Sequence, residues 1–286
     1  MPGPGKPAII SLTTDFGQDD SYVGVVKGVI LRINPQATIV DLCHSVPPRD
    51  VAGAAFILGV SYPYFPDDTI HLVVVDPGVG SDRPSIIVRT DHADRSPALP
   101  AAFFVGPDNG VLSAVLLESG WDASGAPGQD SAVVVNITST HYCLPNVSAT
   151  FHARDIFAPV AAHLSLGVPM DQFGGPAKRV HITPVPQPEM GVDGSVVGHV
   201  LHIDRFGNLI TDIRAGHLPA TGDRLTVAVR GQLILGLSPC YAAGSGLMAL
   251  VSSGDSLEIA VANGSAAHLT GAKRGDRVTV RRMGAR

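Results

Sequence analysis

Ile70-His-Leu-Val-Val-Val-Asp76-Pro-Gly-Val-Gly80-Ser-Asp-Arg83 is the stretch that decides the fold. Four apolar residues in a row, three of them Val, suit a strand covered on both faces, since such a strand has no side to turn to water. Asp76 ends the run and a Pro-Gly turn follows. A carboxylate therefore sits at the C-terminal end of a buried strand, where open α/β sheets hold their ligands. Arg83 returns across a loop whose glycines permit close backbone approach. Asp76 and Arg83 form either a site or a structural ion pair, and the segment alone does not choose between them.

The pattern recurs outward from this strand. Residues 8–13 read as a short apolar strand leading into Thr13-Thr14-Asp15-Phe16-Gly17, and residues 101–105 as another leading into Gly106-Pro107-Asp108-Asn109-Gly110. Each delivers a carboxylate at a strand end. Tyr22, Val25, Val26, Val29, Ile30 and Ile33 recur at helical spacing, which predicts an amphipathic helix with a buried stripe. Asp19, Asp20 and Ser21 are candidates for its N-cap, and Asn34-Pro35 stops it. Residues 37–42 predict a strand, and a helix capped by Asp50, apolar nearly all round, runs from Val51 to about Tyr62. Strands at 85–88 and 133–137 alternate with helices at 111–119 and 156–166, the last with Asp155 as its N-cap. This alternation predicts a doubly wound, mainly parallel α/β sheet over residues 1–173. Loops at 91–100 and 122–130 read as exposed insertions. Neither a Gly-x-Gly-x-x-Gly after the first strand nor a P-loop is present, so no nucleotide fingerprint directs the reading.

Pro176, Pro184, Pro186 and Pro188 mark residues 174–191 as a linker. Beyond it the period changes. Short strands are predicted at 195–203, 208–213, 224–230, 233–237, 247–251, 257–261 and 277–281, with no helical periodicity. Residues 192–286 thus predict a smaller all-β, barrel-like domain.

Composition narrows the function. Charged residues make up 16% of the 286, against about 25% in an average soluble domain, while hydrophobic residues reach 45%. No apolar run approaches the ~18 residues needed to cross a bilayer, so the excess points to a thoroughly buried sheet, an oligomer interface, or both. A net charge of −5 without a basic stripe argues against nucleic acid as a partner. Cys43, Cys143 and Cys240 have neither disulfide-framework nor zinc-knuckle spacing. The N-terminus lacks the apolar core of a signal peptide, so a cytoplasmic protein is expected. No metal-ligand spacing and no Gly-x-Ser-x-Gly elbow occurs. Each candidate also has an ordinary reading: Asp15 as a turn or cap residue, Asp108-Asn109-Gly110 as turn chemistry, His152 as a surface or cap residue, and Arg154-Asp155 as a helix-start pair. Residue pattern by itself stops at an acidic crevice in an α/β domain joined to a β domain, binding a small cationic or hydroxyl-rich ligand.

Several ordered motifs go further. Thr13-Thr-Asp-Phe-Gly17, Tyr22-Val-Gly24 with Lys27-Gly-Val-Ile30, Asn34-Pro35, Val74-Val-Asp-Pro-Gly-Val-Gly80 with Arg83, Phe104-Val-Gly-Pro-Asp-Asn-Gly110, Thr150-Phe-His152 with Arg154-Asp155, and Ile203-Asp-Arg-Phe-Gly-Asn-Leu-Ile-Thr211 occur in sequence. Together they resemble the S-adenosyl-L-methionine hydroxide adenosyltransferases, or adenosine-forming S-adenosylmethionine hydrolases, which share a superfamily with halogenating enzymes. The resemblance runs from about residue 9 to 282. It implies an enzyme that splits S-adenosyl-L-methionine into adenosine and methionine by attack of water or hydroxide at the ribose 5′ carbon, without cofactor or metal. It implies that Asp15 accepts the ribose diol and that Asp76, Arg83 and His152 position the nucleophile, Arg83 staying protonated and either Asp76 or His152 taking the proton. It places Asn208 and Asp204 on the substrate, Asp204 toward the methionine ammonium, and Ser253, Glu258 and Val261 on methionine and adenine. It further implies a homotrimer whose site lies between the first domain of one subunit and the second domain of its neighbour.

Three departures from the family pattern stand out: Ala153 replaces a Gly in Phe-His-Gly-Arg-Asp, Asp255 stands where Gly is usual, and Asp212 where Asn is commoner. The alternatives are an S-adenosylmethionine-dependent halogenase and a non-catalytic adenosine or S-adenosylmethionine binding protein. Halogenating relatives have a Tyr-containing, Thr/Ser-lined pocket in place of Asp76 and His152, and a carboxylate repels a halide.

Overall fold

The computed structural model describes residues 8–91, 99–219 and 225–282, so most of the loop predicted at 91–100 and the first residue of the strand predicted at 224 lie outside the described residues. The chain divides into two compact units, Met1–Pro184 and Val185–Arg286.

In the first unit β1 (Ile9–Thr14), α1 (Tyr22–Ile33), β2 (Thr38–Cys43), α2 (Val51–Ser61), β3 (Ile70–Val74), β4 (Ser85–Thr90), β5 (Ala102–Pro107), α3 (Ser113–Glu118), β6 (Val133–Asn136) and α4 (Ala158–Ser165) follow in order. The sheet order is β2-β1-β3-β5-β4-β6. β1 runs parallel to β2 and β3, and β3 parallel to β5. β4 runs against both its neighbours. Residues 75–84, which join β3 to β4, contain no helix, and a parallel return needs a crossover over one face of the sheet.

β3 shows why the opening run is apolar throughout. Ile70, Leu72 and Val74 pack with Val26 and Ile30 of α1 and Ala158, Ala161 and Leu164 of α4. Val73 and Val75 face the other layer, with Ala54 and Leu58 of α2 and Val115 and Leu116 of α3. Alternate side chains feed two cores, as the pleat demands. The doubly wound, mainly parallel sheet is therefore present. Asp50 caps α2 as expected, accepting the Gly53 N–H at 2.9 Å. The predicted stripe of α1 is narrower in fact: Val26 and Ile30 are buried, while Tyr22 and Val25 are exposed. Ser21 stands at its N-cap without a side-chain hydrogen bond. Val180 and Ile182, inside the Pro-rich stretch, are buried in the core of the first unit.

The second unit is an antiparallel sheet. Its strands are β7 (Glu189–Met190), β8 (Val196–Ile203), β9 (Leu209–Arg214), β10 (Leu225–Val229), β11 (Gln232–Leu235), β12 (Leu247–Val251), β13 (Ser256–Val261) and β14 (Arg277–Arg282). The order is β11-β10-β14-β8-β9-β13-β12, with β7 on β8. Ser238 N–H, just past β11, donates to the Ala249 carbonyl of β12 at 2.7 Å and brings the two ends of this path together. The barrel-like domain is thus nearly closed around Val196, Leu209, Ile213, Val227, Ile259 and Val278. Two elements were not legible in the sequence: β7, and a short helix α5 (Ala266–Thr270) capped by Ser265.

Candidate active site

Three residues expected from the sequence meet at the C-terminal edge of the α/β sheet. β3 delivers Asp76, and the turn that follows returns Arg83. Arg83 Nε donates to Asp76 Oδ1 at 2.9 Å, and Nη2 donates to Asp76 Oδ2. The two side chains are 10% and 5% exposed, and this two-pronged geometry fixes both planes. Nη1 donates to Ser85 Oγ at 3.0 Å and to the Pro84 carbonyl at 3.1 Å, and the Phe157 ring lies 5.3 Å from the guanidinium carbon. Nη2 also reaches His152 Nδ1 at 2.9 Å. A guanidinium only donates, so Nδ1 presents its lone pair and the neutral ring carries its proton on Nε2. Burial, and then the charge of Arg83, hold His152 below the usual imidazole range.

His152 is held from behind. It opens a π turn, Ala153–Phe157, that runs into α4, a wide turn often found at functional sites. The N-cap role expected for Asp155 is not met: His152 occupies that position, and Asp155 lies inside the turn, fully buried. Its carboxylate accepts from Ser148 N–H at 2.8 Å, Arg154 Nε at 2.6 Å and Arg154 Nη2 at 3.0 Å. Burial works against its charge, but these bonds prevail and hold Asp155 below the usual carboxylate range. The segment so anchored also touches the Asp76 turn. Gly80 has φ +82°, and a Cβ there would collide with the Ala149 carbonyl oxygen, so the glycine is required twice over.

Asp15 leaves the adjacent strand, β1, whose Thr14 pairs with Val74 of β3. Its Oδ2 accepts the Arg49 N–H at 2.7 Å. The neighbouring Phe16 meets Phe151 edge-on at 6.0 Å, and Tyr22 meets Phe151 at 5.2 Å. These rings bring the segments of Asp15 and His152 side by side and explain why Tyr22 turns away from the core. In the Asp108-Asn109-Gly110 stretch Asn109 makes the local turn bond, its Oδ1 accepting the Val111 N–H at 3.2 Å, whereas Asp108 Oδ1 accepts the N–H of the distant His181 at 2.7 Å and burial pushes its carboxyl up.

In the second unit Asp204 folds the loop that joins β8 to β9. Its Oδ1 accepts from Phe206 and Asn208 N–H, both at 2.9 Å, and its Oδ2 from Asn208 Nδ2 at 3.0 Å. Asp204 and Asn208 are therefore one unit. Glu258 on β13 is 4% exposed. Burial pushes its carboxyl up, a hydrogen bond from Tyr241 pulls it down, and the charge of Asp204 pushes it up again, for a net rise. Tyr241 Oη donates to Glu258 Oε1 at 2.5 Å. Tyr241 was not singled out from the sequence, because a lone Tyr in a Gly- and Ser-rich loop carries no periodic signal. Ser253 lies in the exposed turn between β12 and β13, and Val261 ends β13. Among the described residues, neither side chain is drawn into the Asp204–Glu258 group by a hydrogen bond.

Comparison with known proteins now bears on this geometry. The SAM hydroxide adenosyltransferase N-terminal domain matches residues 10–174, and the C-terminal domain of the same family matches residues 198–279. The chain belongs to the SAM hydroxide adenosyltransferase family. It is 37% identical to the (R)-S-adenosyl-L-methionine hydrolase of Salinispora tropica, covering 95% of this chain and 97% of that one. The corresponding figure for the hydrolase of that name from Thermus thermophilus is 34%, over 92% and 95%. A fluorinase of Nocardia brasiliensis is 29% identical over 83% and 84%. The crystal structure of an uncharacterised conserved protein from Thermotoga maritima superposes with a TM-score of 0.83 at 34% identity, covering 96% of this chain and all of that one.

The departures from the usual pattern of SAM hydroxide adenosyltransferases have local explanations. Asp255, in place of Gly, has φ +63°, a left-handed conformation that Asp tolerates better than most residues. Asp212, in place of Asn, accepts the His199 N–H at 2.7 Å and faces His199 Nδ1 at 3.4 Å. Ala153, in place of Gly, is buried within the π turn.

Proposed function

We propose that this chain hydrolyses S-adenosyl-L-methionine to adenosine and L-methionine by attack of a water oxygen on the ribose 5′ carbon. The observation that carries the reading is the contact of Asp76, Arg83 and His152 at a strand end in a chain of this family. The oxygen bonds to the 5′ carbon, the carbon–sulfur bond breaks, and its electron pair stays on sulfur. Methionine leaves as a neutral thioether, so the leaving group needs no proton. The demand falls on the oxygen, which must be oriented and must lose one proton.

The tautomer of His152 favours a division of labour. A neutral ring whose Nδ1 accepts from Arg83 offers Nε2–H, a donor that orients the water oxygen. Asp76 is then the proton acceptor. Arg83 occupies one lone pair on each Asp76 oxygen and leaves others open. A carboxylate is only a modest base, but the oxygen becomes strongly acidic as it bonds to carbon, so a modest base suffices late in the step. Asp15 accepts the ribose hydroxyls. Asp204, with Asn208, faces the methionine ammonium, and Ser253, Glu258 and Val261 complete the methionine and adenine contacts. No cofactor or metal takes part. We read the assembly as a homotrimer, for which exposed Leu233 and Leu235 are candidate interface residues. The cytoplasm suits three free cysteines, since a reducing compartment keeps thiols reduced. No helix among the described residues is long and apolar enough to cross a membrane.

The test is incubation of purified protein with each sulfonium epimer of S-adenosyl-L-methionine, separated because the relatives' names specify (R), with chromatography of the nucleoside. Adenosine from at least one epimer, and no chloro-adenosine on adding chloride, is expected. Tight adenosine binding with no turnover of either epimer would sink the proposal.

A further inference from the structure

Behind Asp15 runs a series of four side chains that the proposed reaction does not use. Lys27 Nζ donates to Asp41 Oδ2 at 2.6 Å, Asp41 Oδ1 meets His44 Nε2 at 3.0 Å, and His44 Nδ1 meets Thr14 Oγ1 at 2.9 Å. A carboxylate only accepts, so His44 Nε2 bears hydrogen; in the neutral ring Nδ1 is a lone pair, and the Thr14 hydroxyl donates to it. Thr14 Oγ1 in turn accepts the Phe16 N–H at 3.3 Å. Thr14 and His44 are 2% and 4% exposed, so water does not substitute for these bonds. Thr14 is too buried to be a nucleophile, although hydroxyl, imidazole and carboxylate follow one another as in a hydrolytic triad. What the series does is hold.

The same two loops are tied twice more. Gly17 N–H donates to the His44 carbonyl at 2.8 Å, and Arg49 N–H donates to Asp15 Oδ2 at 2.7 Å. Arg49 has φ +67°, strained for a bulky residue. Such strain persists only where the surrounding structure enforces it, and it collects at functional sites. The ties therefore fall on the residue before Asp15, on its own carboxylate, and on the second residue after it.

We propose that Thr14, His44 and Asp41 are positioning residues that fix the Asp15 carboxylate for the two hydroxyls of a ribose. The proposal rests on the reading of Asp15 as the ribose carboxylate. A carboxylate discriminates a diol from a single hydroxyl only if it cannot turn to follow the hydroxyl that remains. The relay and the Arg49 N–H remove that freedom.

The test measures dissociation constants of adenosine and 2′-deoxyadenosine by calorimetry. General damage weakens both ligands and cancels in their ratio. Wild-type protein should prefer adenosine by on the order of tenfold or more, the scale of one hydrogen bond to a charged group. Asp15→Asn should bring the ratio to about two. Thr14→Val should lower it at least threefold, and Thr14→Ser, which restores the hydroxyl, should keep it near wild type. Asp41→Asn, at a side chain 44% exposed and so no threat to folding, should give an intermediate ratio. If Asp15→Asn collapses the ratio while Thr14→Val and Asp41→Asn both keep it, the relay does not position Asp15. If Asp15→Asn itself keeps the wild-type ratio, the ribose assignment fails and the positioning role with it.

Discussion

The two acidic clusters of the molecule treat charge in opposite ways. In the α/β unit Asp76 is matched by Arg83 through two hydrogen bonds, and His152 is held neutral beside them. In the β unit, among the described residues, Asp204 accepts from N–H groups and Glu258 from a tyrosine hydroxyl. Neither forms an ion pair among the described residues, and the charge of Asp204 raises the cost of charging Glu258. A balanced cluster suits work on a neutral molecule such as water. An unbalanced, half-buried pair of carboxylates suits a ligand that brings its own positive charge. The proposed substrate, with a reacting carbon and an ammonium group, calls for both.

Removing the charge from the balanced cluster should have the largest effect. Asp76→Asn keeps the size and an acceptor but loses the base, and steady-state assays should show kcat down by about 10²–10⁴-fold with adenosine affinity near wild type. A second measurement divides the labour. His152→Ala should cost a similar factor, whereas His152→Gln, which retains an N–H donor, should recover at least tenfold of it. Equal losses in the Ala and Gln variants would make His152 the proton acceptor and remove the distinction drawn between His152 and Asp76. The kcat profile should stay level as pH falls through the ordinary imidazole value of about 6.5 and drop only below it, because His152 takes its proton later than a free imidazole does.

Much of the balanced cluster could be read from the chain. Asp76 and Asp15 are announced by apolar strands that end on them, and β3 matched its expected burial residue for residue. What binds the cluster together could not be read. Gly80 against Ala149 and Asp155 against Ser148 are contacts between segments distant in sequence, and neither has a periodicity. Asp155 was misjudged for a physical reason: an Asp before an apolar run has the signature of an N-cap, and only the wider π turn draws it inside. The direction of β4 is set by the short connection before it, not by its own residues. In the β unit, alternation marks strands but says nothing of which loop residue reaches which strand, so Tyr241 escaped notice.

An intermediate effect should come from the unbalanced cluster. Glu258→Gln removes one charge at a buried position while keeping the shape. The expected result is KM raised by about tenfold, the scale of a charge-assisted contact, with kcat within about threefold of wild type. Asp204→Asn should act in the same direction but also loosen the loop through Phe206 and Asn208, so thermal denaturation must accompany its kinetics. A fall in kcat with unchanged KM in Glu258→Gln would mean that this carboxylate serves the chemical step, and the contrast between the clusters would collapse.

The smallest effect sharpens the contrast most, because it predicts a direction. The carboxyl of Glu258 already titrates above its ordinary value, by burial first and by Asp204 in addition, while the Tyr241 hydroxyl pulls it down. Cation binding needs the ionised form, so affinity should fade as pH drops through this raised value. Tyr241→Phe removes the hydrogen bond that favours the carboxylate. The titration should then move to higher pH, and substrate affinity near neutrality should weaken by a few-fold, as befits one hydrogen bond. Stability should follow the same linkage with its own sign. The folded state binds the extra proton between the ordinary and the raised value, so Glu258 lowers stability as pH rises through that window, and Tyr241→Phe should widen the window upward. The kcat profile of Tyr241→Phe should not move, because its acid limb belongs to His152 in the other cluster. Movement of both limbs together would mean that one titration governs both clusters.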